Sequence, residues 1–333
     1  MKRLLYWIQN ARAYALPQSV LPGLVALCLP IGDPAYSVWL GLLAIFIVAI
    51  AHLSMNLFDD YFDFQTRGNE IREELEQQGI RARIAKSPYL VSGEVTPKQL
   101  FIVASLFALT ALLLGLVIVW QRGMVPLYIA AAAGFLGYFY SGRPLRLSYH
   151  GFGELIIGTV FGPLLMCGVF YATVGYLNSE ILYLSCAIGL LVINILFTHS
   201  ILDYKPDIAN GKRTLAAVLQ RPALNLAASA LFNFMPYLLV VIAVATHALS
   251  PLFLLTLLPL PLSLHFFYLM VQFCHHPEKE FPRQWWFGPI EHWDQIEEAG
   301  LGWFAIRWFY ARNILQWISI LIILCSVIRY FLS

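Results

Sequence analysis

Charged side chains are scarce in this sequence, and their scarcity limits the class of protein. Asp, Glu, Lys and Arg make up 12% of the 333 residues, whereas hydrophobic residues make up 59%. A soluble domain usually carries about 25% charged residues, so this chain cannot cover itself with a hydrated surface. The composition predicts an integral membrane protein embedded in the lipid bilayer. The formal net charge of +2 indicates no nucleic-acid partner.

Several kinds of active site are also missing from the sequence. The five cysteines form no Cys-x-x-Cys pair, so neither a zinc site nor a disulfide framework is expected. The eight histidines are scattered, and we expect His52 and His265 to be core residues or polar contacts between helices. The sequence has no Gly-rich nucleotide-binding loop and no recognisable cysteine or serine nucleophile.

Long apolar runs occupy most of the chain. Crossing a bilayer takes roughly 20 mostly apolar residues, and backbone groups in lipid must pair internally, so such runs are helices. We predict an all-α membrane protein, a bundle of about nine transmembrane helices forming one domain over residues 1–333. The predicted spans are 13–31, 37–58, 99–120, 124–140, 154–175, 180–200, 223–246, 250–273 and 312–331.

The distribution of basic residues predicts the orientation. With the N-terminus in the cytoplasm, only Arg122 and Arg329 of the 21 Lys and Arg residues lie outside, and the other 19 lie on the cytoplasmic side. The positive-inside rule fixes this orientation. We expect a multi-pass protein of the bacterial inner membrane, with its active site on the cytoplasmic side.

Acidic residues gather where two of the predicted helices end. Asn56, Asp59, Asp60 and Asp63 share one helical face at the end of the second span, and Asp203 and Asp207 end the sixth. Oxygen donors of this kind suit magnesium, and two such ends can hold magnesium ions and, through them, a diphosphate. The alternative is that these acids are solvated helix ends beside basic loops.

Basic residues beside the two acidic helix ends fit the same ligand, because each can neutralise phosphate oxygens as a leaving group departs. The alternative is that they only set topology. The candidates are Lys86, Arg143, Arg146 and Lys212.

Five motifs in order, between about Arg12 and Leu219, resemble the UbiA-type intramembrane prenyltransferases, above all the menaquinone-forming dihydroxynaphthoate branch. Its most specific motif is a Tyr-x-x-x-Pro-x-basic-x-x-Tyr-x-Gly-x-Gly-Glu stretch. The motifs are Arg12 before Pro17 and Pro22, the Asn56–Asp63 segment, Ser92-Gly93, the stretch from Tyr140 to Glu154, and Asp203-x-x-x-Asp207 followed by Gly211-Lys-Arg-Thr-Leu215.

The resemblance implies magnesium-dependent transfer of a prenyl group from an allylic polyprenyl diphosphate to an aromatic acceptor. It assigns the metal to Asp59, Asp63, Asp203 and Asp207. The substrate-binding residues that it implies are Arg12, Asn56, Asp60, Lys86, Tyr140, Arg143, Arg146, Tyr149 and Lys212.

The expected acceptor is 1,4-dihydroxy-2-naphthoate, with Arg12 as the partner of its carboxylate. The naphthoate branch usually has an Asn pair and an Arg before the second acidic motif, whereas this chain has His199, Ser200 and Leu202 there. Other acceptors, such as 4-hydroxybenzoate or a lipid precursor, therefore remain open. Pro206 inside the motif is expected to kink or end the sixth helix.

Two segments outside the spans have expected roles. Residues 64–97 form a polar loop that we expect to cap bound diphosphate on the cytoplasmic side. Residues 275–311 are rich in Trp and Phe, and 290–307 could be an interfacial helix, either an aromatic belt or a substrate lid.

Two other functions fit the sequence less well. A transporter would spread its acids across the bilayer, but here they lie at one end. A CDP-alcohol phosphotransferase uses clustered Asp with Asp-Gly and Ala-Arg spacing, which the sequence lacks.

Overall fold

The computed structural model describes residues 2–65, 87–209 and 211–332. Within these ranges the chain is mostly helical and has no named strand. The candidate residue Lys86 and residues 66–86 of the predicted cap loop 64–97 lie outside the described residues. We number the long helices as follows: α1 Pro17–Cys28, α2 Val38–Phe64, α3 Pro97–Arg122, α4 Val125–Ser141, α5 Gly153–Val174, α6 Ser179–Leu202, α7 Pro222–Ala245, α8 Leu260–His275 and α9 Gly302–Leu332.

Seven helices of the described part of the chain are long and apolar enough to cross a membrane. Two further apolar helices, Ala13–Cys28 and Val125–Ser141, are shorter. Large apolar side chains of α3, such as Leu106 and Leu113, are exposed, which is the surface expected of a helix that faces lipid. The all-α membrane fold is thereby confirmed. One short helix, Lys2–Asn10, precedes the long ones, and others lie between them at Pro88–Val91, Tyr204–Ala209, Leu215–Leu219 and Trp293–Glu298.

Local sequence explains where several of these helices begin. The side chains of Ser37 and Asn178 accept hydrogen bonds from the first-turn backbone N–H groups of α2 and α6. At the start of α3, Thr96 and Gln99 form a reciprocal capping box, with Pro97 as the first helical residue. These caps satisfy N–H groups that would otherwise lack partners at the helix ends.

Helices α5 and α6 pack so closely that only glycine fits between them. A Cβ atom added to Gly162 would lie 2.4 Å from the Cα of Gly189, and one added to Gly158 would lie 2.8 Å from the Gly189 carbonyl oxygen. Close to this contact α5 contains a π-helical turn at Val160–Leu164, which includes Pro163. The contact holds the Glu154 end of α5 against the end of α6 that precedes Asp203.

The last helix begins ten residues earlier than the sequence predicts. The expected span was 312–331, with a separate interfacial helix over 290–307, but α9 runs unbroken from Gly302 to Leu332. The difference arises because Arg307, charged and therefore expected outside a span, is buried. Its guanidinium donates to the carbonyl oxygens of Leu269 and Trp303 and lies 5.0 Å from the Phe273 ring. The rest of the predicted interfacial helix is reduced to the short helix Trp293–Glu298.

Candidate active site

A large cavity lies among α2, α3, α4 and α5. Its volume is about 990 Å³, and its two ends differ in chemistry. One end, which we call the mouth, is lined by polar and charged side chains, among them Arg12, Asp59, Asp207 and Lys212. Beyond the mouth the walls are apolar, with Ala, Val, Leu and Ile side chains of α2 and α3 facing small residues of α4. The cavity can therefore hold a long molecule with one charged end and an apolar remainder.

The acidic end of α2 forms one side of the mouth. Asp59 and Asp60 share the guanidinium of Arg12, whose Nη2 lies 3.2 Å from Asp59 Oδ2 and 3.1 Å from Asp60 Oδ1. The same Nη2 donates to the Asn56 carbonyl oxygen, and Asn56 Nδ2 donates in turn to the carbonyl oxygen of Ala11. Asn56 and Arg12 thus tie the segment before α1 to the end of α2.

Three hydroxyl groups orient the carboxylates of this helix end. Ser141 donates to Asp59 Oδ1 at 2.6 Å, Tyr89 to Asp60 Oδ2 at 2.8 Å, and Tyr149 to Asp63 Oδ1 at 3.0 Å. Sequence reasoning named Tyr149 but missed Ser141 and Tyr89. Both residues lie inside or beside the motifs quoted above. A motif does not indicate, however, which carboxylate accepts a hydrogen bond from a given hydroxyl group.

The second acidic motif lies opposite, where α6 ends. Helix α6 stops at Leu202, and the chain turns at Asp203 into the short helix Tyr204–Ala209, which contains Pro206. The expected break of the sixth helix is thus seen in the structure. Asp207 is buried and lines the cavity, whereas Asp203 is fully buried behind it, with one carboxylate oxygen 3.7 Å from Nε2 of His199.

Lys212 is the cation that joins the two acidic groups. It lines the cavity. Burial lowers its pKa, but the carboxylates of Asp63, Asp207 and Asp59 raise it more, so that the pKa lies above its ordinary value. Since Asp59, Asp207 and Lys212 all line the cavity, the residues that follow α6 and the end of α2 meet at the mouth.

Glu154 anchors the loop that carries Lys212. Its buried carboxylate accepts hydrogen bonds from the Ser200 hydroxyl at 2.6 Å and from the Leu215 backbone N–H at 3.1 Å. One carboxylate therefore links α5, α6 and the loop after Asp207. The sequence motif contained Glu154, but sequence reasoning gave it no role.

The pKa values of two groups at the mouth show their protonation state. Burial lowers the pKa of Arg12, but Asp60 and Asp59 raise it further, so the guanidinium stays charged. Burial and the neighbouring Asp60 carboxylate both raise the pKa of Tyr89, which therefore keeps its hydroxyl proton.

The remaining candidates lie at different distances from the cavity. Tyr140 lines it. The Arg146 guanidinium lies 3.9 Å from the centre of the Tyr149 ring, which places it beside the mouth. Arg143 is exposed in the same turn. The structure thus brings together the acids of both motifs, Arg12, Asn56, Tyr149 and Lys212, and leaves Arg143 at the edge.

The chemistry of the mouth fits a divalent cation bound together with a ligand. Among residues 2–65, 87–209 and 211–332, no group of three or more His, Cys, Asp or Glu side chains is arranged to hold a metal ion alone. Magnesium is commonly bound by one or two carboxylates together with substrate phosphates and water. The carboxylates of Asp59 and Asp207, which both line the cavity, are hard oxygen donors suited to such shared binding.

Comparison with known sequences gives one consistent family. The UbiA prenyltransferase family matches residues 19–288. The chain is 28% identical to the 1,4-dihydroxy-2-naphthoate octaprenyltransferase of Bacillus subtilis (strain 168), with 76% of this chain and 78% of that protein covered. It is 31% identical to the 2-carboxy-1,4-naphthoquinone phytyltransferase of Synechocystis sp. (strain ATCC 27184 / PCC 6803 / Kazusa), with 68% and 69% covered.

Solved structures share the fold at lower identity. A digeranylgeranylglyceryl phosphate synthase superposes with a TM-score of 0.61 at 14% identity, covering 98% of this chain and 99% of that one. A UbiA homolog from Archaeoglobus fulgidus bound to GPP and Mg2+ superposes with a TM-score of 0.57 at 14% identity, covering 93% and 99%.

Proposed function

Because the chain belongs to the UbiA prenyltransferase family, we propose that it transfers a prenyl group from an allylic polyprenyl diphosphate to 1,4-dihydroxy-2-naphthoate in menaquinone biosynthesis. One structural observation supports this proposal independently of the family assignment. The cavity joins a charged mouth, where Lys212 lies among carboxylates of two helix ends, to an apolar chamber long enough for an isoprenoid tail. The substrate of the proposed reaction has the same division into a charged head and an apolar tail.

In this proposal the mouth binds the diphosphate. Lys212 donates hydrogen bonds to phosphate oxygens and stabilises the charge that develops on them as the carbon–oxygen bond breaks. Arg12 and Tyr149 hold the carboxylates of α2 in place through the contacts described above. Asp59 and Asp207, which line the cavity, together with Asp63 and Asp203 at the same two helix ends, would hold magnesium, and the bound ion would supply positive charge against the phosphate oxygens. The apolar walls exclude water, which protects an allylic cation until the acceptor attacks it.

Two observations support a naphthoate acceptor. Both sequence relatives described above carry naphthoate or naphthoquinone substrates in their names. Arg12 lines the cavity and keeps its positive charge beside Asp60 and Asp59. Its guanidinium is the group that we assign to the acceptor carboxylate.

The two segments outside the spans fit the same scheme. We propose that residues 64–97 cap the bound diphosphate, because Ser87 and Tyr89 of this segment line the cavity and Tyr89 bonds Asp60. For the aromatic segment 275–311 we propose a position at the membrane surface beside the mouth, since Leu301 and Trp308 also line the cavity. We propose that the mouth faces the cytoplasm across a bacterial inner membrane, and the uneven distribution of Lys and Arg supports this orientation.

The test is transfer by the purified protein with magnesium, a labelled prenyl diphosphate, and 1,4-dihydroxy-2-naphthoate or 4-hydroxybenzoate, with products identified by mass. We expect prenylation of the naphthoate with loss of carbon dioxide, abolition by chelation and recovery on adding magnesium. Asp63→Asn and Asp203→Asn should each lower the rate by about 100-fold or more. Asp33→Asn, at the opposite end of the bundle, is the matched control and should retain activity. Product from 4-hydroxybenzoate alone would refute the acceptor, and no product from any aromatic would refute the reaction.

A further inference from the structure

His52 lies at the boundary between the two parts of the cavity. It lines the cavity on α2, one helical turn before Asn56 and two turns before Asp59. The cavity-lining residues of α2 that lie farther from the mouth, namely Ala51, Val48, Ile47 and Ala44, are all apolar. His52 is therefore the titratable side chain of α2 at the depth where a diphosphate head would end and a tail would begin.

The ring of His52 is held from both sides. Its Nδ1 lies 2.8 Å from the hydroxyl oxygen of Ser19, which is completely buried on α1. The Phe161 ring of α5 contacts the imidazole edge-on, with centroids 4.8 Å apart. These two contacts hold the imidazole ring of His52 in one plane.

Ser19 Oγ has two partners that bear on the basicity of the ring. It lies 3.0 Å from the carbonyl oxygen of Leu16, which can only accept, and 2.8 Å from Nδ1 of His52. When the single hydroxyl proton of Ser19 goes to Leu16, Ser19 accepts from Nδ1–H and the lone pair of the neutral ring lies on Nε2, which is the tautomer able to take a proton from a molecule in the cavity. No described residue forms a hydrogen bond with Nε2. His52 is thus a buried polar contact between α1 and α2, one of the two roles that the sequence predicts, and its ring also lines the cavity.

We propose that Nε2 of His52 accepts a hydrogen bond from the ring hydroxyl of the aromatic acceptor and takes its proton as the acceptor attacks. The inference rests on the proposed prenyl transfer and adds the group that activates the acceptor. A hydroxyl that donates its proton raises the electron density of the ring, and the fixed imidazole also places the attacking carbon against the first carbon of the prenyl chain.

The step balances in atoms and electrons. The new carbon–carbon bond forms from an electron pair of the ring, and diphosphate leaves with the electron pair of the carbon–oxygen bond. Meanwhile the hydroxyl proton passes to Nε2, which leaves a cyclic enone and a protonated His52. The ring regains aromaticity by losing carbon dioxide, whose bonding electron pair returns to the ring, and His52 returns its proton to the oxygen.

The first test compares His52→Phe, which keeps a flat ring against Phe161 but has no acceptor, with His52→Gln, which keeps a polar acceptor. General-base assistance is worth about 100-fold or more, so His52→Phe should lower kcat by about 100-fold, and His52→Gln should recover part of that loss. Both variants should bind a non-hydrolysable prenyl diphosphate analogue with the wild-type Kd, which also shows that they fold. Unchanged kcat in His52→Phe would overturn the proposal.

The second test distinguishes activation of the acceptor by His52 from a purely structural role of this residue. The same naphthoate is offered with its ring hydroxyls free or methylated, since a methoxy group has no proton to donate. In the wild type the free acceptor should react about 100-fold faster, and in His52→Phe this preference should nearly vanish. If the preference persists in His52→Phe, His52 has no role in activation. If instead the wild type prenylates no aromatic acceptor at all, the proposed function itself fails.

Discussion

Lys212 combines burial with a charge that its surroundings enforce. A buried ammonium group normally loses its proton more easily, but three carboxylates reverse that tendency here. The loop carrying Lys212 has little freedom to move away, because Glu154 holds the following residues through the Leu215 N–H. The cation is thus placed before any substrate arrives, which is the arrangement that stabilises a developing negative charge at least cost.

Replacing Lys212 by Gln should lower kcat/KM for the prenyl diphosphate by about 100-fold to 1,000-fold, because one preorganised cation at the leaving group is lost. Since the pKa of Lys212 is raised, the lysine keeps its proton up to and beyond its ordinary pKa of about 10.4. The loss should therefore be equal at about pH 6 and about pH 9.

The matched control is Lys205→Gln, since Lys205 is exposed on the neighbouring short helix and does not line the cavity. An equal loss in the Lys205 variant would mean that general charge, and not the position of Lys212, is responsible.

Helical periodicity was sufficient to place Asn56, Asp59 and Asp63 on one face, because the spacing of side chains along a helix follows from the sequence alone. The partners of these residues could not be obtained in that way. Tyr89 and Ser141 are 29 and 82 residues away from the carboxylates to which they donate. Such pairs depend on how α2 packs against α4 and the loop before α3, which periodicity does not encode.

The glycine contact between α5 and α6 positions both ends that carry site residues. Gly162→Ala should destabilise the protein by about 1–3 kcal/mol, because the new methyl group would collide with the backbone of Gly189, which has no side chain to move aside. Thermal unfolding in a mild detergent measures the change.

Gly115→Ala on α3 is the control, since a Cβ atom there meets nothing within 4 Å. Its stability should be unchanged or slightly higher, as expected for alanine in a helix. Equal destabilisation of both variants would contradict the packing argument.

Small residues of α4 leave room for the apolar part of a substrate. Gly134 lines the cavity, and a Cβ atom there also meets nothing within 4 Å, so Gly134→Leu should fold normally while filling the chamber. Cavity-lining residues of α4 run from Pro126 to Tyr140, about 21 Å along the helix.

We expect Gly134→Leu to reduce kcat/KM for long polyprenyl diphosphates while a dimethylallyl donor is little affected. Competition between a short and a long donor measures the ratio directly. If the ratio of kcat/KM for the long and the short donor is unchanged, the prenyl tail does not bind beside Gly134.

The first residue of α9 could not be predicted from the sequence. The predicted span 312–331 begins only at Arg312, because an isolated charge such as that of Arg307 is costly in lipid. The structure buries both side chains and gives each of them several partners. Arg307 is bound by carbonyl oxygens and packs against an aromatic ring, and Arg312 is bound by Glu291 and the Pro289 carbonyl oxygen. One nitrogen of each guanidinium, Arg307 Nη2 and Arg312 Nε, has no hydrogen-bond partner among the described residues. Satisfaction of this kind depends on residues distant in sequence, so the beginning of the helix could not be predicted.

The bundle as a whole is polar at one end. The two arginines predicted on the opposite side, Arg122 and Arg329, connect neighbouring segments by hydrogen bonds. Arg122 donates to the carbonyl oxygens of Ala172 and Thr173 at the end of α5, and Arg329 donates to that of Leu29 and contacts Glu180. These contacts explain why basic residues occur there against the general bias.

The topology prediction can be tested with single cysteines in a background where the five native cysteines are replaced by alanine. Ser92→Cys lies at the end that carries the mouth, and Ser179→Cys lies at the other end; both side chains are exposed. A membrane-impermeant maleimide added to intact cells should label only Ser179→Cys, and disruption of the membrane should expose Ser92→Cys. Labelling of Ser92→Cys in intact cells would invert the orientation.

A cavity with a charged mouth and apolar walls can bind other amphiphiles that have a charged head and a long apolar chain. Detergents and lysolipids with an anionic head and a single long chain share that build, so they should act as competitive inhibitors of the donor. Uncharged sugar detergents lack the head that Lys212 would hold, and should interfere much less. The choice of solubilising agent therefore decides the apparent KM of the purified enzyme, and native membranes will give lower values than anionic micelles.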